Sequence, residues 1–87
     1  MREFKYEIKD AQGIHARPAG ILAKAIAKYA SSVSMKKAGE EGTVNAKSVM
    51  AVMSLGAKKG NLITITAEGE DEDAVIAEVE RICRENL

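Results

Sequence analysis

Eighty-seven residues, 46% of them apolar and fourteen of them alanine, supply one thin hydrophobic core and leave no room for a second domain or a deep substrate cavity. Thirteen basic and thirteen acidic side chains balance, which argues against the generic positive charge of a nucleic-acid binder, and large apolar residues throughout argue against disorder. The balance conceals a division: residues 1–60 carry 11 basic and 5 acidic side chains, net +6, and residues 61–87 carry 2 and 8, net −6. One end could therefore attract an acidic partner, although a solvated surface with an acidic last helix explains the same pattern.

In chain order, Phe4, Tyr6 and Ile8 alternate with Glu3, Lys5 and Glu7, so residues 2–8 read as a strand with one buried face. Asp10 to Gly13 breaks that pattern. From Ala16, apolar residues recur at three and four through Ala19, Leu22, Ile26 and Tyr29, which predicts a helix to about Tyr29 with Pro18 in its first turn, where no intrahelical N–H is lost. Val33 and Met35, then Val44 and Ala46, alternate with polar neighbours on either side of the turn-forming stretch Ala38–Gly42, predicting a hairpin. Residues 48–54 form a short helix ending near Gly56, and residues 62–67 a last strand. Residues 71–85 form a second long helix whose acidic start and Arg81 and Arg84 match the helix dipole, with Val75, Val79, Ile82 and Cys83 as its buried stripe.

The order βαββαβα predicts a single α+β domain spanning 1–87: an open-faced two-layer sandwich, with a four-stranded antiparallel sheet covered on one face by three helices. Cys83 alone excludes an internal disulfide and a multi-cysteine metal site and reads as a buried thiol. With no 18-residue apolar run and no charged-then-apolar leader, a cytoplasmic protein that does not insert into membranes is expected. P-loop, His-Glu-x-x-His and dinucleotide fingerprints are absent, so no metal and no cofactor is expected. The strand order resembles that of RNA-recognition domains, but Phe4, Tyr6 and Tyr29 are too few aromatics for base stacking, and direct nucleic-acid binding is not expected.

Gly13-Ile14-His15-Ala16-Arg17-Pro18 holds the only histidine and the only proline. If the helix begins at Ala16, His15 stands where unpaired N–H groups and the positive dipole end favour an anion such as phosphate. Arg17 adds a planar cationic fork suited to phosphate oxygens, and a neutral imidazole can act as a nucleophile. A capping or merely exposed histidine is the competing reading. Ser48 is a natural N-cap for the short helix, and a phosphate on its hydroxyl would also meet the helix's positive end. That helix is apolar nearly all round, so part of Val49, Met50, Val52, Met53 and Leu55 either forms an adaptable docking patch or fills gaps under the sheet.

Two separated motifs, Gly13-Ile14-His15-Ala16-Arg17-Pro18-Ala19 and Asn45-Ala46-Lys47-Ser48-Val49-Met50 through Gly56, resemble the phosphohistidine and regulatory-serine signatures of the HPr family. These are the histidine-containing phosphocarriers of the phosphoenolpyruvate-dependent sugar phosphotransferase system, and the resemblance covers essentially the whole chain. It implies that His15 accepts phosphate at Nδ1 from phosphorylated enzyme I and passes it to the A components of sugar permeases, with Arg17 stabilising the phosphate. It implies that Ser48 is the site of an ATP-dependent HPr kinase/phosphorylase, the modified form serving as corepressor for the catabolite control protein. Ala16, Ile21, Lys24, Val49, Met50 and Met53 match positions where family members meet partners. Gln12 stands where many members have a smaller Ser, Thr or Asn, Gly20 lies inside the first helix, and the hairpin loop at Glu40 and Glu41 is longer than usual. The rival reading is a regulatory binding module that acts only through Ser48 and the methionine patch. A monomer is expected.

Overall fold

The computed structural model describes residues 1–87. Its elements are β1 (Arg2–Glu7), α1 (Ala16–Ile26), β2 (Ser32–Lys37), β3 (Val44–Asn45), α2 (Val49–Ser54), β4 (Leu62–Glu68) and α3 (Glu72–Asn86). The four strands form one antiparallel sheet in the order β1-β4-β2-β3. The two crossovers this order requires are made by the helical segments, as in other antiparallel sheets with helices on one face.

Register assigns each residue to a face. Phe4 opposite Ile65, Tyr6 opposite Ile63, and Met35 opposite both Ile65 and Val44 point to the helices. Ile63, Ile65, Ala67 and Met35 there are wholly buried. On the other face Glu3, Lys5, Thr64, Thr66, Ser34 and Lys36 oppose one another and meet solvent, the alternation expected of a sheet covered once. The helices close the core with Leu22 and Ile26 from α1, Val52 from α2, and Val75, Val79, Ile82 and Cys83 from α3. Burial pushes the Cys83 thiol up to about 12, so it behaves as a small apolar side chain. No helix is long and apolar enough to cross a membrane.

The end of the first helix differs from the sequence expectation. Helix α1 stops at Ile26 rather than near Tyr29, and the Tyr29 N–H bonds the Ile26 carbonyl in a tighter turn. A spacing of three suits either geometry, because Tyr29 still packs on the core from the turn. The outcome is decided from outside the helix. Asp71, the residue before α3, accepts the N–H groups of Ala30 and Ser31 at 2.8 and 2.9 Å and the Ser31 hydroxyl as well, while Lys47 Nζ donates to the Tyr29 carbonyl at 2.7 Å. These bonds satisfy backbone groups that a longer helix would have paired internally. Smaller differences follow the same logic: β1 ends at Glu7 because the Ile8 N–H turns to the Asn61 carbonyl, and β3 has only two residues although the Ala46 N–H still reaches the Val33 carbonyl.

Candidate functional site

The segment linking β1 to α1 is pinned at both ends. The Lys9 and Asp10 amides donate to the Leu87 backbone oxygen at 2.5 and 2.8 Å, and the Ile14 amide donates to the Ala57 carbonyl at 3.0 Å. Between them the Asp10 carboxylate accepts the Gln12 N–H at 2.8 Å, the side-chain-closed turn that aspartate favours. Gly13 adopts φ +67° and passes so near the Ala57–Lys58 backbone that a Cβ would lie 2.5 Å from the Ala57 oxygen. Glycine alone permits this approach. The loop therefore delivers His15 to a fixed place at the head of α1.

His15 is the N-cap of α1 by backbone position, and its carbonyl accepts the Ala19 N–H at 3.1 Å. Its side chain makes no cap hydrogen bond, so the capping reading fails. The half-buried imidazole is left for another use. The N–H groups of Ala16 and Arg17 have no protein acceptor, and Pro18 has no N–H to satisfy, so the start of the helix presents free donors. Arg17 is exposed and belongs to none of the eight ion pairs in the molecule. His15, Arg17 and Pro18 line a shallow polar cleft of about 290 Å³ with Asp10, Gln12, Glu85 and Asn86. A larger depression of about 540 Å³ runs across the open sheet face beside β2 and β3, away from the histidine. Its size does not make it the site, because it gathers hydroxyl and amide side chains without a nucleophile held at a helix start.

Sequence reasoning missed Glu85 and Asn86, which the end of α3 brings to the cleft from seventy residues away in the chain. Only the docking of Leu87 against the Lys9–Asp10 amides places them there, and nothing in the local sequence announces it. No group of three or more His, Cys, Asp or Glu side chains is arranged to hold a metal ion.

The second segment singled out in the sequence begins at Ser48. Ser48 is the N-cap of α2, its hydroxyl accepting the Ala51 N–H at 3.2 Å and its carbonyl accepting the Val52 N–H at 3.0 Å. Only Val52 of this short helix is buried; Met50 is 82% exposed, and Val49, Met53 and Ile21 of α1 are also exposed. The methionines of α2 therefore form an apolar surface and do not fill gaps under the sheet, where Met35 sits instead. Ala16 and Lys24 of α1 are exposed too. Helix α1 packs against both α2 and α3, so all of these residues belong to one helical layer.

A small α+β module with a free imidazole at a helix start and an apolar patch on the same helical layer is the class that this fold and site define. Residues 2–85 match the family model described as "PTS HPr component phosphorylation site". The sequence is 41% identical to the phosphocarrier protein HPr of Mycoplasma genitalium over 87 residues, which is 99% of this chain and 97% of that protein. The fold superimposes on a mycoplasma histidine-containing phosphocarrier protein with a TM-score of 0.88 at 38% identity, covering 93% of this chain and 90% of that one. It also matches Crh, the Bacillus subtilis catabolite repression protein seen as a domain-swapped dimer, with a TM-score of 0.75 at 33% identity over 100% of this chain and 98% of that one. The chain belongs to the HPr family of phosphocarriers of the phosphotransferase system.

Proposed function

We propose that the chain works as one domain over residues 1–87 and as a general phosphoryl relay of sugar uptake in the cytoplasm. His15 accepts a phosphoryl group at Nδ1 from phosphorylated enzyme I and gives it up to the A components of sugar permeases. The observation that carries this reading is the His15 imidazole itself, half-buried at the head of α1 with no hydrogen bond to the protein and with the free Arg17 guanidinium in the same cleft. Arg17 and the Ala16 and Arg17 amides hold the phosphoryl oxygens by charge-assisted hydrogen bonds, and no metal or cofactor takes part. Ala16, Ile21, Lys24, Val49, Met50 and Met53 form the surface on which donor and acceptor dock in turn.

Ser48 is the regulatory site in this reading, modified by an ATP-dependent HPr kinase/phosphorylase and then read by the catabolite control protein. A phosphate there adds about −1.5 to −2 charge beside the methionine patch, at a helix start that tolerates it, and so changes docking more than shape. A module that signals only through Ser48 is the alternative. Likeness to Crh favours that alternative, and the paired presence of His15 and Arg17 in one cleft speaks for the relay.

Intact mass after incubation with enzyme I and phosphoenolpyruvate separates the two. The relay requires one added phosphate that is lost on brief acid treatment, as a phosphoramidate is, and that His15→Ala does not acquire. No added phosphate, with the same enzyme I active on another carrier, rejects the relay and leaves Ser48 signalling.

A further inference from the structure

The cleft around His15 has the wrong charge for a site whose task is to hold phosphate. A phosphoryl group near neutral pH carries between one and two negative charges. Of the residues that share the cleft with His15, one is a cation, Arg17, and two are carboxylates, Asp10 and Glu85. Neither carboxylate is fully neutralised by a partner of its own. Asp10 accepts one backbone N–H from Gln12. Glu85 accepts from Arg81 Nη1 at 3.1 Å, but Arg81 is shared, with its Nη2 2.5 Å from Glu78. Like charges that line the same cleft raise the free energy of the phosphorylated form.

A relay must release what it accepts. A cleft lined only with cations would trap the phosphoryl group, because every interaction that stabilises the phosphorylated form lowers its power to donate. We propose that Asp10 and Glu85 keep the phosphoryl-transfer potential of His15 high by repelling the group it carries, and that Arg81, by sharing its charge between Glu78 and Glu85, is the positioning residue that sets the strength of that repulsion. The inference rests on His15 being the acceptor.

A partition experiment reads it directly. Uniformly 15N-labelled native chain and an equal amount of unlabelled variant are mixed with a catalytic amount of enzyme I and too little phosphoenolpyruvate to phosphorylate both. At equilibrium the phosphoryl group leaves one His15 ring nitrogen as it bonds to the other, the first ring regaining the proton the second loses. Intact mass gives the ratio. Glu85→Gln and Asp10→Asn, the latter keeping an oxygen for the Gln12 N–H, are expected to hold about two- to fivefold more phosphate than the native chain, the range of a partly exposed charge pair. Arg81→Gln is expected to hold less than the native chain, and all three ratios should move towards one as salt is raised.

Ratios of one for Glu85→Gln and Asp10→Asn would overturn the inference. So would a shift of Glu85→Gln and Arg81→Gln in the same direction, since loss of a shared ion pair would act alike from either partner. If the native chain acquires no acid-labile phosphate, the relay and this inference fall together; if it does and the ratios stay at one, the inference alone falls.

Discussion

Replacing Gly13 with alanine tests whether the backbone, rather than any side chain, fixes His15. The residue has φ +67°, and an added Cβ would lie 2.5 Å from the Ala57 oxygen, 2.7 Å from Lys58 Cα and 3.3 Å from the Ala57 carbonyl carbon. All three atoms are backbone, so no side chain can swing away. The left-handed conformation costs an L-residue about 1–2 kcal/mol. Forcing the two segments apart adds about 1–3 kcal/mol, and the stiffer unfolded chain returns about 0.4–1 kcal/mol. The expected loss is about 1–5 kcal/mol from a total of about 4–13 kcal/mol for a chain of this length. Gly39→Ala is the control, because Gly39 has φ +89° with open space around it and should lose only the conformational part, about 1 kcal/mol. Urea unfolding of the three proteins, followed by far-ultraviolet circular dichroism, gives both differences. The same displacement would break the Ile14 N–H bond to the Ala57 carbonyl and move His15, so phosphate uptake by Gly13→Ala should slow as well. Equal losses for the two variants would refute the close approach of the loop to the segment after α2.

Gly20, in the middle of α1, has nothing within 4 Å of an added Cβ and a right-handed backbone, so Gly20→Ala should raise stability by about 0.5–1 kcal/mol in the same unfolding assay. The Asp71 carboxyl is held below its ordinary value of 3.8, first by the Ser31 hydroxyl and then by the Ala30 amide. A depressed folded-state pKa contributes stability that is present above the unfolded value and lost as pH falls through the folded one. The difference in urea midpoint between the native chain and Asp71→Ala should therefore be larger at pH 7 than at pH 2, and an unchanged difference would contradict the bonds to Ser31 and Ala30. Cys83 is buried and its thiol pushed up to about 12, so iodoacetamide at pH 8 should label it only in denaturant.

What the sequence disclosed and what it withheld divide along the distance over which each feature is determined. The sheet was legible because alternation in residues 2–8, 33–35 and 62–67 is a local consequence of one wet and one dry face. That part of α2 must be exposed was legible for a similar reason, since six residues can turn only one stripe, Val52, to the core, but the sequence left open whether the methionines were the exposed residues. The His15-Arg17 pair could be read because both belong to one helix start. The end of α1 could not, since Ile26 and Tyr29 fit a helix or a tight turn equally, and the choice is made by Asp71 more than forty residues away. The carboxylate of Glu85 in the cleft was hidden on the same ground. Helix α3 was predicted within a residue at each end, yet which cleft its last turn would border depended on the tertiary contact between Leu87 and the Lys9–Asp10 amides.

The two positions proposed for modification, His15 and Ser48, differ in what the fold has already asked of them. The His15 side chain makes no hydrogen bond within the protein, because the loop is held by the Leu87 and Ala57 backbone oxygens and by the Gly13 turn. A group can be added to the ring and removed again without breaking a protein bond, which suits the transient transfer proposed for His15. Ser48 already spends its hydroxyl oxygen on the Ala51 N–H. A phosphate there must take over the cap before anything else changes, and its oxygens can do so because they face the same N–H groups at the start of α2. Under the proposed function, a persistent mark is therefore chemically natural at Ser48 and a transient one at His15.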